Sequence, residues 1–360
     1  MENILKKKKI VFIESNFYKS GPNNQLQYIL TNLKNFSYKI LILSSHDNRI
    51  TLKNKHVLNL PQGLVAFFFF KKISNFLRSV NYDIIHINSS FRALLIISVL
   101  SKNKNNILYV LRNDPLKVWD DNYPPFLSKI LSKIYLNLLK KVNIVFCSKS
   151  LYLKYNHYFE NKNYVIQNSI KVNKENKEKK INKHEIKFFT LSRLIKTKNI
   201  SFLIKTFKNN NFFSNHKLYI IGDGNEKNNI IKMCEGVKNI FIEGYSNNVH
   251  KVFDEKDVLL SSSTTEGLPN SVLEALSNNI PCILSDIDQH NEIYEGVDIL
   301  KNLIFKNNES IELIRCVKYL IDNENEVKAN MKRVIKNFSV EKMVTSYEDF
   351  YNKLCSNQNY

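Results

Sequence analysis

Between Lys9 and Ser285 the chain alternates short runs of β-branched and aromatic residues with stretches of helical spacing. That alternation restricts it to a doubly wound α/β architecture with parallel sheets. The first series of runs is Lys9–Glu14, Tyr38–Leu43, Asp83–Asn88, Asn106–Leu111, Asn143–Cys147 and Tyr164–Gln167. A second series, Ile186–Leu191, Lys217–Gly222, Asn239–Glu243, Asp257–Leu260 and Pro281–Ser285, follows a charged, aperiodic segment from Lys171 to Lys183. A chain of 360 residues is long enough for two domains that each bury a core. The expected organisation is a first domain over 1–168, a linker over 169–184 and a second domain over 185–338. An amphipathic helix over 339–360, capped by Ser339, is expected to close the chain and pack back towards the first domain. Ligands of open parallel sheets bind beyond the carboxyl ends of the strands, so the residues just after each run are the functional candidates.

The balance of charge narrows the partners. A net charge of +20 calls for an anion: a phosphorylated substrate, an anionic membrane surface or a nucleic acid. No Lys/Arg stripe interleaved with aromatics and no nucleic-acid module accompanies the charge, so nucleic acid is not expected. The longest apolar runs, Leu64–Phe70 and Leu94–Leu100, fall far short of the roughly 20 residues of a spanning helix. Met1–Ile10 passes from lysines straight into a strand-like run without a cleavable leader. The expectation is a cytoplasmic protein that is at most peripheral at the inner face of a membrane. The five cysteines, Cys147, Cys234, Cys282, Cys316 and Cys355, have neither disulfide-framework nor metal-ligand spacing.

Three segments of the second series carry chemistry. In Thr265–Leu276 (TEGLPNSVLEAL) a Ser/Thr run after Asp257–Leu260 leads through Gly267 into a helix, with Pro269 expected in its first turn. Unpaired N–H groups at that helix start suit a phosphate. Glu266 ahead of the helix and Glu274 one turn inside it would repel a phosphate, and are better read as acceptors for sugar hydroxyls. The segment Leu191–Asn199 brings Arg193 and Lys198 to the end of another strand, where Arg193 can fork onto a diphosphate and Lys198 add a mobile point charge. The turn at Gly222, Asp223 and Gly224 lacks the spacing of a dinucleotide fingerprint.

The string EGLPNSVLEA resembles the Glu, seven residues, Glu signature of retaining glycosyltransferases of family 4, with Glu266 and Glu274 as its acids. These enzymes share the GT-B fold, two Rossmann-like doubly wound domains facing across a cleft. The resemblance implies transfer of a hexosyl unit from a nucleoside diphosphate sugar, with a UDP-sugar favoured, to a hydroxyl of a glycan or lipid-linked glycan acceptor in envelope polysaccharide assembly. It implies that Glu266 meets the donor sugar near the reacting carbon, that Glu274 holds the ribose, and that Leu268, Asn270 and Ser271 line the donor. Arg193 and Lys198 match the family's diphosphate-binding G-R-L-x-x-x-K-G segment, with Ser192 and Asn199 in place of its glycines. Ser20 and Gly21 correspond to a first-domain loop that approaches the donor, and Gly222 to a turn near the base. His86 matches an acceptor-side D-[IV]-[IV]-H segment, and Arg112 stands where relatives carry another His. Arg112 and Asp114 are therefore acceptor-side candidates, and Trp119 is a candidate for stacking on an acceptor sugar. Asp286 and Asp288 read as a structural loop, so no metal and no cofactor beyond the sugar nucleotide is expected. A nucleotide-sugar epimerase of GT-B fold and a non-catalytic sugar- or partner-binding protein are the alternatives.

Overall fold

The computed structural model describes residues 7–17, 20–43, 54–60, 70–101, 103–120, 123–159, 163–172, 179–246 and 248–356. It divides into two compact units, Met1–Asn168 with Val340–Tyr360, and Ser169–Ser339. The first unit is built on β1 (Lys9–Glu14), β2 (Ser37–Ile42), β3 (Lys55–Val57), β4 (Ile84–Ile87), β5 (Ile107–Leu111), β6 (Asn143–Phe146) and β7 (Asn163–Val165). These pair in parallel in the order β3-β2-β1-β4-β5-β6-β7. Among the described residues, the helices that connect them are α1 (Gly21–Asn32), α2 (Phe70–Ser79), α3 (Phe91–Leu100), α4 (Pro125–Leu139) and α5 (Lys149–Tyr155).

The second unit repeats the plan. Its strands β8 (Lys187–Leu191), β9 (Lys217–Ile221), β10 (Ile240–Gly244), β11 (Val258–Ser261), β12 (Cys282–Ser285) and β13 (Ile304–Phe305) form a parallel sheet in the order β10-β9-β8-β11-β12-β13. Around it lie α6 (Ile200–Asn209), α7 (Lys227–Cys234), α8 (Val249–Glu255), α9 (Asn270–Ser277), α10 (Asp288–Ile293), α11 (Asp298–Lys301), α12 (Ser310–Asp322) and α13 (Glu324–Ile335). Helices cover both faces of such sheets, which is why the central strands are continuous apolar runs rather than alternating ones. Ile10–Ile13, Ile107–Leu111 and Val258–Leu260 are buried along their whole length. Among the described residues no helix is long and apolar enough to cross a membrane. Most of the run Leu64–Phe70 lies outside the described residues; Phe70 opens α2.

The last helix, α14 (Val340–Ser356), belongs to the first unit. Its stripe Tyr347, Phe350, Tyr351 and Leu354 is buried against Phe12, Leu26, Phe36 and Ile84. Glu348 ties its outer side down by accepting from the Lys34 and Asn35 amides at 2.7 and 3.0 Å. Ser339, expected as its cap, directly precedes its first residue and forms a parallel bridge with Ile170. In its described parts, 169–172 and 179–184, the expected linker is tied into the second unit. Ile170 N–H donates to the Phe338 carbonyl at 2.8 Å, Ile181 N–H to Glu324 Oε1 at 3.0 Å, and Lys179 pairs with the buried Asp257 at 2.8 Å.

Candidate functional site

Each sheet reverses its strand order once, between β1 and β4 and between β8 and β11. A ligand crevice forms at such a switch point, outside the carboxyl ends of the strands. In the second unit the two loops at that point are 192–199 after β8 and 262–269 after β11.

These loops are stitched together by backbone contacts. Thr264 N–H donates to the Thr197 carbonyl at 2.8 Å, and the Ser262 hydroxyl reaches the carbonyls of Lys198 and Asn199 at 2.9 and 3.0 Å. Asn199 sits at φ 51°, ψ 38°, the left-handed conformation, before α6 begins at Ile200. Asn tolerates that region better than other non-glycine residues, so it serves where the resembled segment has glycine. On the other side Ser192 N–H donates to the Ile221 carbonyl at 3.1 Å and Leu194 N–H to the Asp223 carbonyl at 2.9 Å.

The stitching brings Lys198 onto Glu266 in a close ion pair, with only 16% and 12% of their side-chain surfaces exposed. The Ser263 hydroxyl donates to the same oxygen, Oε1, at 2.7 Å. Among the described residues nothing engages Glu266 Oε2. Burial pulls the Glu266 pKa up, but the Lys198 charge and hydrogen bond, with help from His290 and Ser263, outweigh it and hold the carboxyl below its ordinary value. The acid is therefore ionised at neutral pH. Arg193, five residues before Lys198, is exposed, and its guanidinium has no hydrogen bond or ion pair among the described residues.

His290 in α10 was not legible as a site residue. It is fully buried, and burial pushes its pKa down to about 4 against the opposing pull of Glu266. Nδ1 lies 2.8 Å from the Ser285 carbonyl, which can only accept, so Nδ1 carries the hydrogen. Nε2 then accepts from the Ser261 hydroxyl at 3.3 Å. The ring is a neutral wedge beneath the Lys198–Glu266 pair.

At the start of α9 the cap residue is Pro269, which has no side-chain acceptor, a correction to its expected place inside the first turn. By contrast Ser20, Ser90 and Ser148 cap α1, α3 and α5 through their hydroxyls. Leu268 is buried, while Asn270, Ser271 and Glu274 are half-buried along the first turns of α9. Gly222 is held at φ 147°, and a Cβ there would lie 1.8 Å from the Ser192 carbonyl oxygen. Gly222→Ala must displace the Arg193 loop. Its expected cost is roughly 2–3 kcal/mol of stability, read as a lowered thermal midpoint.

The first unit corrects several expectations. Ser20 and Gly21, expected in a strand-to-helix loop, are the cap and first residue of α1. His86 is a core residue: it is fully buried, its Nδ1 is 2.7 Å from the Tyr351 hydroxyl, and it packs 4.8 Å from the Phe12 ring. Trp119 packs edge-on to Phe91 and Tyr135. Asp114 is buried, accepting from Tyr155 and pairing with Lys154 at 2.8 Å, which pins the turn after β5. Arg112 is buried too, giving its donors to Asn88 Oδ1 at 2.9 and 3.1 Å and Asn168 Oδ1 at 2.5 Å.

Asn88 in turn donates to Glu14 Oε2 at 2.9 Å, and Ser15 N–H donates to Oε1 at 2.8 Å. Burial nevertheless raises the Glu14 pKa to about 8, against these donors and the Arg112 charge. Glu14, Asn88, Arg112 and Asn168 thus form one buried polar cluster at the carboxyl ends of β1, β4 and β5 and just after β7. Sequence reasoning named Arg112 but missed Glu14 and Asn88, although each is the first polar residue after an apolar run.

Comparison with known proteins bears on this geometry. The chain is 28% identical over 218 residues to an uncharacterized glycosyltransferase of Methanocaldococcus jannaschii, covering 55% of this chain and 53% of that protein. It is 24% identical over 149 residues to the UDP-Gal:alpha-D-GlcNAc-diphosphoundecaprenol alpha-1,3-galactosyltransferase of Escherichia coli, covering 39% of this chain and 38% of that one. The matches thus span about half or less of the length of these relatives. Among solved structures, HepE of Anabaena in complex with UDP and glucose superposes with a TM-score of 0.73 at 15% identity, covering 96% of this chain and 99% of that one. Residues 171–338 match the family of glycosyl transferases group 1, and the chain with its two parallel sheets has the GT-B fold.

Proposed function

We propose that the chain is a retaining glycosyltransferase that moves a hexosyl unit from a nucleoside diphosphate sugar, preferentially a UDP-sugar, to a hydroxyl of a glycan acceptor. One observation carries the reading: the Lys198–Glu266 pair is half-used. Among the described residues Glu266 keeps Oε2 for a sugar hydroxyl, Lys198 keeps two ammonium hydrogens for a phosphate, and Arg193 on the same loop has no hydrogen bond or ion pair. A purely structural ion pair would have its remaining donors and acceptors satisfied.

In this reaction the bond from the anomeric carbon to the diphosphate oxygen breaks, with its electrons leaving on the diphosphate. Arg193, Lys198 and the amides at the start of α9 stabilise that charge, which makes a divalent ion unnecessary. The acceptor oxygen attacks from the leaving-group face and preserves the anomeric configuration. Its proton passes to a donor phosphate oxygen, so no side-chain base is needed. Glu266 orients the donor sugar and Glu274 the ribose hydroxyls. The relative named for a diphosphoundecaprenol acceptor supports a lipid-linked oligosaccharide as the acceptor, at the inner face of a membrane.

The test is release of nucleotide from a panel of UDP-, GDP- and ADP-sugars, with and without bacterial lipid extract. Lipid-dependent release of UDP is expected, reduced about 10²- to 10³-fold in Arg193→Ala. Donor turnover to an isomeric sugar nucleotide without acceptor would instead establish an epimerase. Absence of both release and binding would leave a non-catalytic protein.

A further inference from the structure

Helix α4 is inside out. Its buried positions, Ser128, Ser132, Tyr135 and Leu139, include two serines, while Phe126, Leu127, Ile130 and Ile134 face solvent. The serines are explained locally: Ser128 donates to Asp120 at 2.5 Å and Ser132 to the Leu116 carbonyl at 3.4 Å, so the inner face covers the polar turn at 114–120. Nothing local explains the outer face. Phe126, Ile130 and Ile134 recur every four residues and form one stripe at 100° per residue, with Leu127 beside it. Phe126 is 78% exposed. Of the fourteen large apolar side chains exposed among the described residues, six lie between Leu116 and Ile134, and the others are scattered.

The charge beside the stripe selects its partner. Lys129 and Lys133 run along one edge, Lys140 and Lys141 follow the last turn, and α4 contains no acidic residue. A second copy of the chain meeting this face about a two-fold axis would set these lysines against one another. A groove on an ordinary protein partner would leave them unpaired. An apolar stripe edged by Lys129 and Lys133, on a helix without an acidic residue, matches an anionic lipid surface, where the rings and branched chains enter the acyl boundary and the ammonium groups meet the headgroups. We propose that the outer face of α4 docks the protein on an anionic bilayer. The proposal does not rest on the transferase reading, since it requires neither donor nor acceptor.

The test is flotation of the purified full chain with vesicles of phosphatidylcholine alone or mixed with phosphatidylglycerol. Binding to the mixed vesicles and weak binding to phosphatidylcholine are expected. Lys129→Ala/Lys133→Ala should lower the partition coefficient about 30-fold, at about fivefold per lysine, and the difference should shrink in high salt. Phe126→Ser/Ile130→Ser should lower it about tenfold or more at any salt. All variants should keep the wild-type thermal midpoint, because the substituted side chains face solvent. Wild-type chain that ignores anionic vesicles, or variants that bind as wild type does, would overturn the proposal. So would a wild-type dimer in sedimentation that Phe126→Ser/Ile130→Ser dissociates, because the stripe would then be an interface between copies.

Discussion

Lys198→Met is expected to impair both stability and turnover, and the two losses should separate in a double variant. Without the lysine, Glu266 is a buried carboxylate with only the Ser263 hydroxyl and the distant field of a neutral histidine to stabilise it. Breaking a buried pair costs 3–5 kcal/mol, but this pair keeps some contact with solvent, and Glu266 can take up a proton. The expected cost is therefore about 2–3 kcal/mol at neutral pH, read from urea unfolding. If Lys198 serves the proposed transfer, turnover should fall about 10²- to 10³-fold, because the cation assigned to the leaving diphosphate has gone. In Lys198→Met/Glu266→Gln the uncompensated charge is also removed, and stability should return to within about 1 kcal/mol of wild type. Turnover should stay low. If turnover returned with stability, the pair would be a structural device and the diphosphate would be held elsewhere.

The second large effect concerns Glu14 and pH. Its carboxyl has a folded-state pKa of about 8, well above the ordinary carboxylate value from which the unfolded chain titrates. Between those values the folded state binds a proton that the unfolded state has released, so stability must fall as pH rises through the window. Each pH unit crossed costs about 1.4 kcal/mol, or roughly 4 kcal/mol between pH 5 and pH 8. Glu14→Gln removes the titrating group. The difference in unfolding free energy between the variant and wild type should therefore shift by that amount in favour of the variant over the same range. His86 and His290, which burial holds neutral, oppose this trend below about pH 6.5, since both must charge on unfolding in acid. The pH dependence of the difference, not of either protein alone, isolates Glu14. A flat difference would mean that water or a neighbouring donor keeps the carboxylate charged.

Much of this molecule was legible because central parallel strands are buried on both faces and must be apolar throughout. Every interior strand, from Lys9–Glu14 to Cys282–Ser285, coincides with a run visible in the sequence. The strands that escaped were β3 and β13, of three and two residues at sheet edges, too short to carry a pattern. The Glu266 and Arg193 loops were legible because their residues are adjacent in the chain. The Glu14–Asn88–Arg112–Asn168 cluster and His290 were not, because they are assembled from separate strands by the register of the sheet, which a linear reading does not supply. His86 was misread for the converse reason: its local pattern matched a motif, but the helix that buries it arrives from the far end of the chain, at Tyr351.

That late arrival has a consequence for biosynthesis. The core around Phe12 and His86 is closed by α14, so of the two units the one whose strands are made earlier is the later to be finished. Residues 169–339 are made in between, and at 5–20 residues per second that interval is roughly 10–30 s. During it, the face of β1 and β4 that will receive Tyr347 and Tyr351 is uncovered, and by its end the second unit has all of its described strands. A stop codon near residue 340 would therefore leave the second unit whole and the first, although it has all seven of its described strands, open on one side.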